Sequence, residues 1–133
     1  MSFDIVYFSN YSGNTKRFVD KLDLNSIRIP ISDSNDPILV QNKFVLFVPT
    51  YGGGNEGHAI PKQVRSFLNV ASNRDKIIGV VGLGNTNFGE HYCKAAEMIA
   101  AKTGVPIIGR VEIFGTEEDV NTINERLAML DDK

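Results

Sequence analysis

Short apolar segments recur along the chain, and five of them have the length and composition expected of β-strands. They lie within residues 3–8, 26–31, 44–48, 77–81 and 106–114. Residues 44–48 (Phe-Val-Leu-Phe-Val) are apolar throughout, which is typical of a central parallel strand covered on both faces. Residues 26–31 contain Pro30, which cannot donate a ladder hydrogen bond, so we expect this strand at an edge of the sheet.

Between these strands, apolar residues recur at the spacing of one helical face and predict four helices. The first is counted from Thr15, and the second follows Pro61, since the first turn of a helix tolerates proline. The third ends at Gly104, just before Pro106, and the fourth opens with a capping box over Thr116–Asp119. The residues predicted to face inward are Phe18, Val19 and Leu22; Ile60, Val64, Phe67 and Leu68; Tyr92, Ala96, Ile99, Ala100 and Thr103; and Val120, Ile123, Leu127 and Leu130.

The alternation of strands and helices predicts an α/β protein with a parallel sheet and helices on both of its faces. Five strands and four helices fit the flavodoxin-like three-layer sandwich with strand order 2-1-3-4-5. In that order the link between strands two and three, residues 32–43, must cross over strand one. This link is close to the minimum of about 10–12 residues for a crossover, so we expect a stub helix or a bare loop there.

Composition narrows the class of protein without identifying its chemistry. The chain has 133 residues, of which 42% are hydrophobic and 23% charged, and we expect one soluble globular domain over residues 1–133. A formal charge of −2 gives no reason to expect nucleic-acid binding. The sequence has neither an apolar run of roughly 18 residues nor a signal peptide, so we expect no membrane partner and a cytoplasmic location.

The few residues that commonly carry metal or nucleophilic chemistry form no recognisable set. Cys93 is the single cysteine, which excludes an internal disulfide and a multi-thiolate metal site. His58 and His91 lie far apart in the sequence and match no metal motif. We therefore predict no metal site and no catalytic side chain, and expect any chemistry to belong to a cofactor.

The loop between the first strand and the first helix has the composition of a phosphate site. It consists of Ser9, Asn10, Tyr11, Ser12, Gly13, Asn14 and Thr15. The first turn of a helix has backbone N–H groups without partners and a dipole that favours an anion. Hydroxyl groups add donors, and Gly13 lets the backbone come close. Taken alone, this loop fits an ordinary helix N-cap without a ligand equally well.

Two further loops, residues 49–57 and 82–89, follow strands three and four and are rich in glycine. In a sheet of this order, ligands bind outside the carboxyl ends of the strands, where the strand order reverses. Each loop has one aromatic residue, Tyr51 or Phe88, which either stacks on a ligand or packs beneath its loop. A planar heterocycle with a monophosphate suits the three loops together, and flavin mononucleotide (FMN) is such a ligand.

A set of short motifs extends this picture over nearly the whole chain. They are Tyr7-Phe8-Ser9, Ser12-Gly13-Asn14-Thr15, Arg17-Phe18, Pro49-Thr50-Tyr51-Gly52-Gly53-Gly54, Pro61, Gln63-Val64, Phe67-Leu68, Gly84-Asn85-Thr86-Asn87-Phe88-Gly89-Glu90, Gly104-Val105-Pro106 and Gly115-Thr116. Together they closely resemble the NrdI family, the flavodoxin-like partner of class Ib ribonucleotide reductase. The second and third loops carry the specific part of this resemblance, whereas flavodoxins in general share the first loop.

The resemblance implies FMN as cofactor and a defined function. Reduced FMN would react with dioxygen, and the superoxide would oxidise a dimanganese centre in the small subunit of the reductase to generate its tyrosyl radical. The implied partners are this subunit, dioxygen and an unidentified reductant of the flavin, and whether the chain is itself an enzyme stays open. The residues expected to bind FMN are Ser9, Asn10, Tyr11, Ser12, Gly13, Asn14 and Thr15 at the phosphate, and Pro49, Thr50, Tyr51, Gly52, Gly53, Gly54, Gly84, Asn85, Asn87, Phe88 and Gly89 around the ring.

Two alternatives remain at this stage. The first is a generic short-chain flavodoxin that carries single electrons. Flavodoxins usually have Asp where this chain has Asn85, and a neutral amide there would favour the fully reduced, anionic flavin. The second alternative is a receiver-type signalling domain of the same topology, which is disfavoured because no acidic pair follows the first strand.

Overall fold

A computed structural model shows a five-stranded, all-parallel sheet with the strand order β2-β1-β3-β4-β5. The structure describes residues 2–9, 13–31, 37–50, 59–84 and 93–131. The strands are β1 (Asp4–Tyr7), β2 (Ser26–Arg28), β3 (Phe44–Pro49), β4 (Ile77–Gly84) and β5 (Ile107–Glu112). The predicted strand order is confirmed, and the strand predicted within residues 26–31 lies at the edge of the sheet as expected, but it ends at Arg28, before Pro30.

Five helices occur in the described ranges, on both faces of the sheet. They are α1 (Asn14–Lys21), α2 (Lys62–Asn69), α3 (Ala71–Arg74), α4 (Lys94–Thr103) and α5 (Glu117–Asp131). One core cluster joins α1 and α5 to side chains such as Val45 and Phe47, and the other joins α2 and α4 to Phe44 and Leu46. Residues 44–48 are completely buried because alternate side chains of β3 enter opposite layers. None of the helices in the described part is both long and apolar enough to cross a membrane.

The link between β2 and β3 contains no helix in its described part, residues 37–43, which agrees with a bare loop. The side chain of Asn73, in α3, satisfies part of its backbone. Asn73 Oδ1 accepts a hydrogen bond from the N–H of Val40 at 3.0 Å, and Nδ2 donates to the carbonyl of Ile38 at 2.8 Å. Nδ2 also donates to the carbonyl of Phe67 at 3.1 Å, and Asn73 is completely buried. Thus α3, which the sequence pattern did not predict, attaches the crossover to the helical layer.

The predicted helix ends agree with the structure. The Thr116 N–H donates to Asp119 Oδ2 at 2.9 Å, and the Asp119 N–H donates to Thr116 Oγ1 at 3.2 Å, which confirms the capping box of α5. Gly104 ends α4 with a φ of 76°, a left-handed conformation that suits glycine. Of the predicted inward-facing residues, Leu68, Ala100, Thr103 and Leu130 are only partly buried, and Tyr92 lies outside the described residues.

Candidate functional site

The ends of β1, β3 and β4 lie side by side at one edge of the sheet. The Phe8 N–H donates to the Phe47 carbonyl at 3.1 Å, and the Thr50 N–H donates to the Leu83 carbonyl at 3.2 Å. The strands β1 and β3 are neighbours in the sheet. From β1 the chain continues to β2 on one side, and from β3 it continues to β4 on the other side, so the strand order reverses between them. This is the position at which sheets of this kind bind ligands.

Ser9 connects the end of β1 to the first turn of α1. Its Oγ accepts a hydrogen bond from the N–H of Lys16 at 3.2 Å, and the side chain is completely buried. Arg28 Nη2 donates to the Ser9 carbonyl at 3.2 Å, so the neighbouring strand also holds this residue. The hydroxyl group of Ser9 therefore acts as a substitute cap for α1 by accepting this N–H, a bond that does not use the hydroxyl proton.

Gly13 is the N-cap residue of α1 and has a φ of 74°. Its carbonyl accepts the first helical hydrogen bond, from the N–H of Arg17 at 2.9 Å. A helical N–H donates to the carbonyl four residues earlier, and for Asn14 and Thr15 that carbonyl lies before the start of α1. These two N–H groups therefore have no acceptor within the helix. The first turn of α1 contains no acidic residue, so its partial positive charge meets no carboxylate of its own. These groups fit a phosphate.

Lys16, a cation in the first turn of α1, is paired with a carboxylate of the same helix. Lys16 Nζ forms an ion pair with Asp20 Oδ2 at 2.7 Å on the exposed surface. The hydrogen bond to Asp20, together with the attraction between the two charges, raises the pKa of Lys16 above its ordinary value. The described groups that could donate to a phosphate at this helix end include the backbone N–H groups of Asn14 and Thr15, and their binding of a phosphate stays a prediction.

Thr50, at the start of the second loop, is bonded to the helix that follows the third loop. Its Oγ1 accepts a hydrogen bond from the N–H of Ala95 at 3.0 Å. Cys93, at the N-cap position of α4, has a φ of 57° and makes no side-chain capping bond within the described part. The hydroxyl of Thr50 therefore substitutes for the missing cap and joins the roots of the two loops. Sequence reasoning assigned Thr50 to the ligand alone and missed this role.

The structure corrects the predicted start of the third loop. The strand expected to end at residue 81 continues to Gly84, so Gly82 belongs to β4. A Cβ atom on Gly82 would lie 2.8 Å from the Cβ of Ala96 and 2.9 Å from that of Cys93. Gly82 thus allows α4 to pack closely on the strand, and its role is structural.

Gly84, the last residue of β4, fixes the position from which the third loop starts. Its carbonyl accepts a hydrogen bond from the N–H of Ile113 at 2.7 Å, which joins the end of β4 to the turn after β5. Pro49, the last residue of β3, is half-buried beside this edge. The roots of the predicted ring-binding loops are therefore held by the sheet and by α4.

The described structure brings together Ser9, Gly13, Asn14, Thr15, Pro49, Thr50 and Gly84 of the predicted site. The other predicted residues lie outside the described residues: Asn10, Tyr11, Ser12, Tyr51, Gly52, Gly53, Gly54, Asn85, Asn87, Phe88 and Gly89. His58 and His91 also lie outside them.

Sequence reasoning missed Arg28, because nothing in an edge-strand pattern indicates that its guanidinium reaches the end of the next strand. Within the described ranges, no three His, Cys, Asp or Glu side chains are grouped as metal ligands would be.

Comparisons with known proteins agree with this geometry. Residues 6–125 match the family described as "NrdI Flavodoxin like". A protein from Beutenbergia cavernae named "Protein NrdI" is 50% identical over 123 residues, which are 92% of this chain and 89% of that protein. Among solved structures, a short-chain flavodoxin associated with a bacterial microcompartment has a TM-score of 0.64 at 19% identity and covers 98% of this chain and 96% of its own. Flavodoxin 2 from Bacillus cereus has a TM-score of 0.60 at 20% identity, with coverage of 98% and 99%.

Proposed function

The chain belongs to the NrdI flavodoxin-like family, and on that premise we propose that it is an FMN flavoprotein that activates the manganese small subunit of class Ib ribonucleotide reductase in the cytoplasm. When bound and reduced, FMN would transfer one electron to dioxygen, and the superoxide formed would oxidise the dimanganese centre of that subunit. Membership of a flavodoxin-like family implies a flavin. The proposed partner follows from the resemblance of this chain to NrdI, the flavodoxin-like partner of class Ib ribonucleotide reductase.

One observation supports the cofactor assignment above the others: the N-terminus of α1 lies at the switch point of the sheet. There the left-handed Gly13 precedes two N–H groups, those of Asn14 and Thr15, that have no intrahelical acceptor. Ser9 fixes this turn against the end of β1. The phosphate of FMN would accept hydrogen bonds from these groups, and the helix dipole would stabilise its charge.

The ring would lie between the second and third loops, whose roots are bonded to neighbouring elements. Thr50 holds the root of the second loop to α4, and Gly84 holds the root of the third loop to the turn after β5. In this proposal the ring contacts Tyr51 and Phe88, and glycine backbone faces its polar edge. Rigid roots of this kind would limit movement of the ring relative to a docked partner.

Activation of the small subunit tests the function. The manganese-loaded subunit is mixed with the reduced protein, exposed to dioxygen and then assayed for ribonucleotide reduction with the large subunit. We expect activity that requires the protein, its reduction and dioxygen, and an equal concentration of free reduced FMN should give much less. The proposal fails if this protein gives no activation under conditions in which another member of the family succeeds.

A further inference from the structure

A groove lies between α2 and α4, separate from the candidate flavin site. Its volume is about 190 Å3. The floor is formed by the apolar side chains of Ile60, Leu68 and Ile99, and the rim consists of Arg65, Asn69, Arg74, Lys102 and Thr103. We call this feature the α2–α4 groove. Residues Asn69 and Thr103 end their helices, and from there the chain runs to the amino ends of β4 and β5, so the groove extends away from the edge that would hold FMN.

The rim of the α2–α4 groove carries three positive charges, and none of its described lining residues is acidic. Within the described part of the chain, the ion pairs join Lys16 to Asp20 and Arg110 to Glu97, and neither pair includes a groove residue. Glu97, the acidic residue in the first turn of α4, is thus already engaged, at 3.6 Å from Arg110. The described lining of the groove therefore offers cations without carboxylates, on a chain whose net charge is −2.

One of these cations is held in position by the fold. Arg74 Nη1 donates a hydrogen bond to the carbonyl of Leu68 at 3.3 Å, which keeps the guanidinium beside the apolar floor. Since a guanidinium has five N–H donors, most of them remain available to a carboxylate. The side chains of Arg65 and Lys102 are exposed on either side of the groove.

Helix dipoles offer a simpler explanation for part of this pattern. Arg74 and Lys102 lie in the last turns of α3 and α4, where a positive charge stabilises the helix. Arg65, however, lies in the middle of α2, where the dipole has little effect. The dipole also gives no reason for a groove whose lining combines these cations with Leu68, a partly exposed apolar side chain, beside the buried Ile60 and Ile99.

We propose that the α2–α4 groove is a docking site for an acidic peptide segment of a partner protein. An aliphatic side chain of the segment would enter the groove and pack on Leu68, the partly exposed residue of the floor, and its flanking carboxylates would pair with Arg65, Arg74 and Lys102. The volume favours this ligand, because small-molecule pockets usually measure about 300–1,000 Å3, and a nucleotide is too large for the groove. Because the groove extends away from the candidate flavin edge, this inference does not depend on the proposed function.

Fluorescence anisotropy with a labelled peptide tests the proposal. The probe is a short peptide in which Glu and Asp flank a central Leu, labelled with tetramethylrhodamine, and it is titrated with the full chain at low salt. Substituting Gly for the Leu of the peptide should weaken binding at least about tenfold, because one aliphatic side chain is no longer buried. The variants Arg65→Ala and Lys102→Ala should each weaken binding about threefold, as expected for an exposed ion pair.

Lys43→Ala is the matched control, since it removes an exposed lysine that does not line the groove. It should leave the affinity of the peptide unchanged, and amide NMR shifts caused by the peptide should be confined to residues 60–74 and 99–103. Three results would overturn the proposal: no saturable binding, equal affinity for the Leu and Gly peptides, or equal effects of Lys102→Ala and Lys43→Ala. A purely dipolar role predicts that Lys102→Ala lowers thermal stability without any change in peptide binding, and this result would also overturn it.

Discussion

Gly13 is the residue on which the proposed phosphate site depends most directly. Among the described residues other than its neighbours in the chain, none has a heavy atom within 4 Å of the position that a Cβ would occupy, so a substitution acts through the backbone, whose φ is 74°. We expect Gly13→Ala to lower the free energy of unfolding by about 1 kcal/mol and to weaken FMN binding. Urea denaturation and FMN titration measure the two effects.

Gly104 supplies the control for this experiment. It has a φ of 76° and similarly open surroundings, but it lies at the opposite end of a helix from the candidate site. Gly104→Ala should therefore lower stability as much as Gly13→Ala while leaving the affinity for FMN unchanged. Equal affinity of both variants for FMN would show that Gly13 does not contribute to binding of the phosphate.

Asn85 bears on the redox behaviour of the proposed flavin. The sequence places residue 85 among the proposed ring contacts, and in Asn85→Asp a carboxylate at about 4–6 Å would disfavour the anionic, fully reduced flavin by one or more pKa units. The second one-electron potential should then fall by about 60 mV or more. A spectroscopic redox titration measures both potentials, and Asn85→Gln serves as the neutral control. Unchanged potentials in Asn85→Asp would show that residue 85 lies away from the part of the ring that becomes anionic on full reduction.

At the scale of the elements, α4 depends on a cap supplied by another segment. Thr50→Val keeps the shape of the side chain but removes the acceptor of the Ala95 N–H. We expect a loss of about 1 kcal/mol in the free energy of unfolding and faster hydrogen exchange in the first turn of α4. The control is Thr103→Val, which removes a hydroxyl that donates to the Ile99 carbonyl four residues earlier in α4. Because the backbone of a helix already supplies a donor to such a carbonyl, this variant should change stability by less than about 0.5 kcal/mol. Equal losses in the two variants would contradict the capping role.

The crossover between β2 and β3 depends on Asn73 in a similar way. Asn73→Ala would leave three groups without this partner, namely the buried Val40 N–H and Phe67 carbonyl and the partly buried Ile38 carbonyl. We expect a loss of about 2–6 kcal/mol in the free energy of unfolding, because two of these groups are buried and each unsatisfied buried group costs about 1–3 kcal/mol. Chemical denaturation measures the loss, and a value below that of Thr50→Val would indicate that water replaces the amide.

At the scale of the whole molecule, periodicity predicted the sheet and its layers. The apolar run of β3 and the spacing of Phe18 and Val19 reflect burial, which repeats along the chain and can be recognised in it. The roles of Asn73, Thr50 and Gly82 could not be predicted in this way. Each depends on one contact with a segment that is distant in the sequence, and no local pattern specifies that partner.

The three loops differ in what the sequence and the structure contribute to them. The composition of residues 9–15 indicated a phosphate site or an empty cap, and the described structure adds the left-handed Gly13 and the N–H groups of Asn14 and Thr15, which have no acceptor within the helix, at the switch point. For the second and third loops, the structure describes the roots, and Tyr51 and Phe88 lie outside the described residues. Their contact with the flavin ring therefore stays a prediction from the sequence.

The affinity of the apoprotein for FMN relative to riboflavin tests the phosphate site most directly, because the two flavins differ only in the phosphate. Two charge-assisted hydrogen bonds at about 1.5–3 kcal/mol each predict that FMN binds at least about 100-fold more tightly. Quenching of flavin fluorescence measures both dissociation constants under the same conditions. Equal dissociation constants would contradict a phosphate site at the N-terminus of α1, and with it the proposed orientation of the flavin.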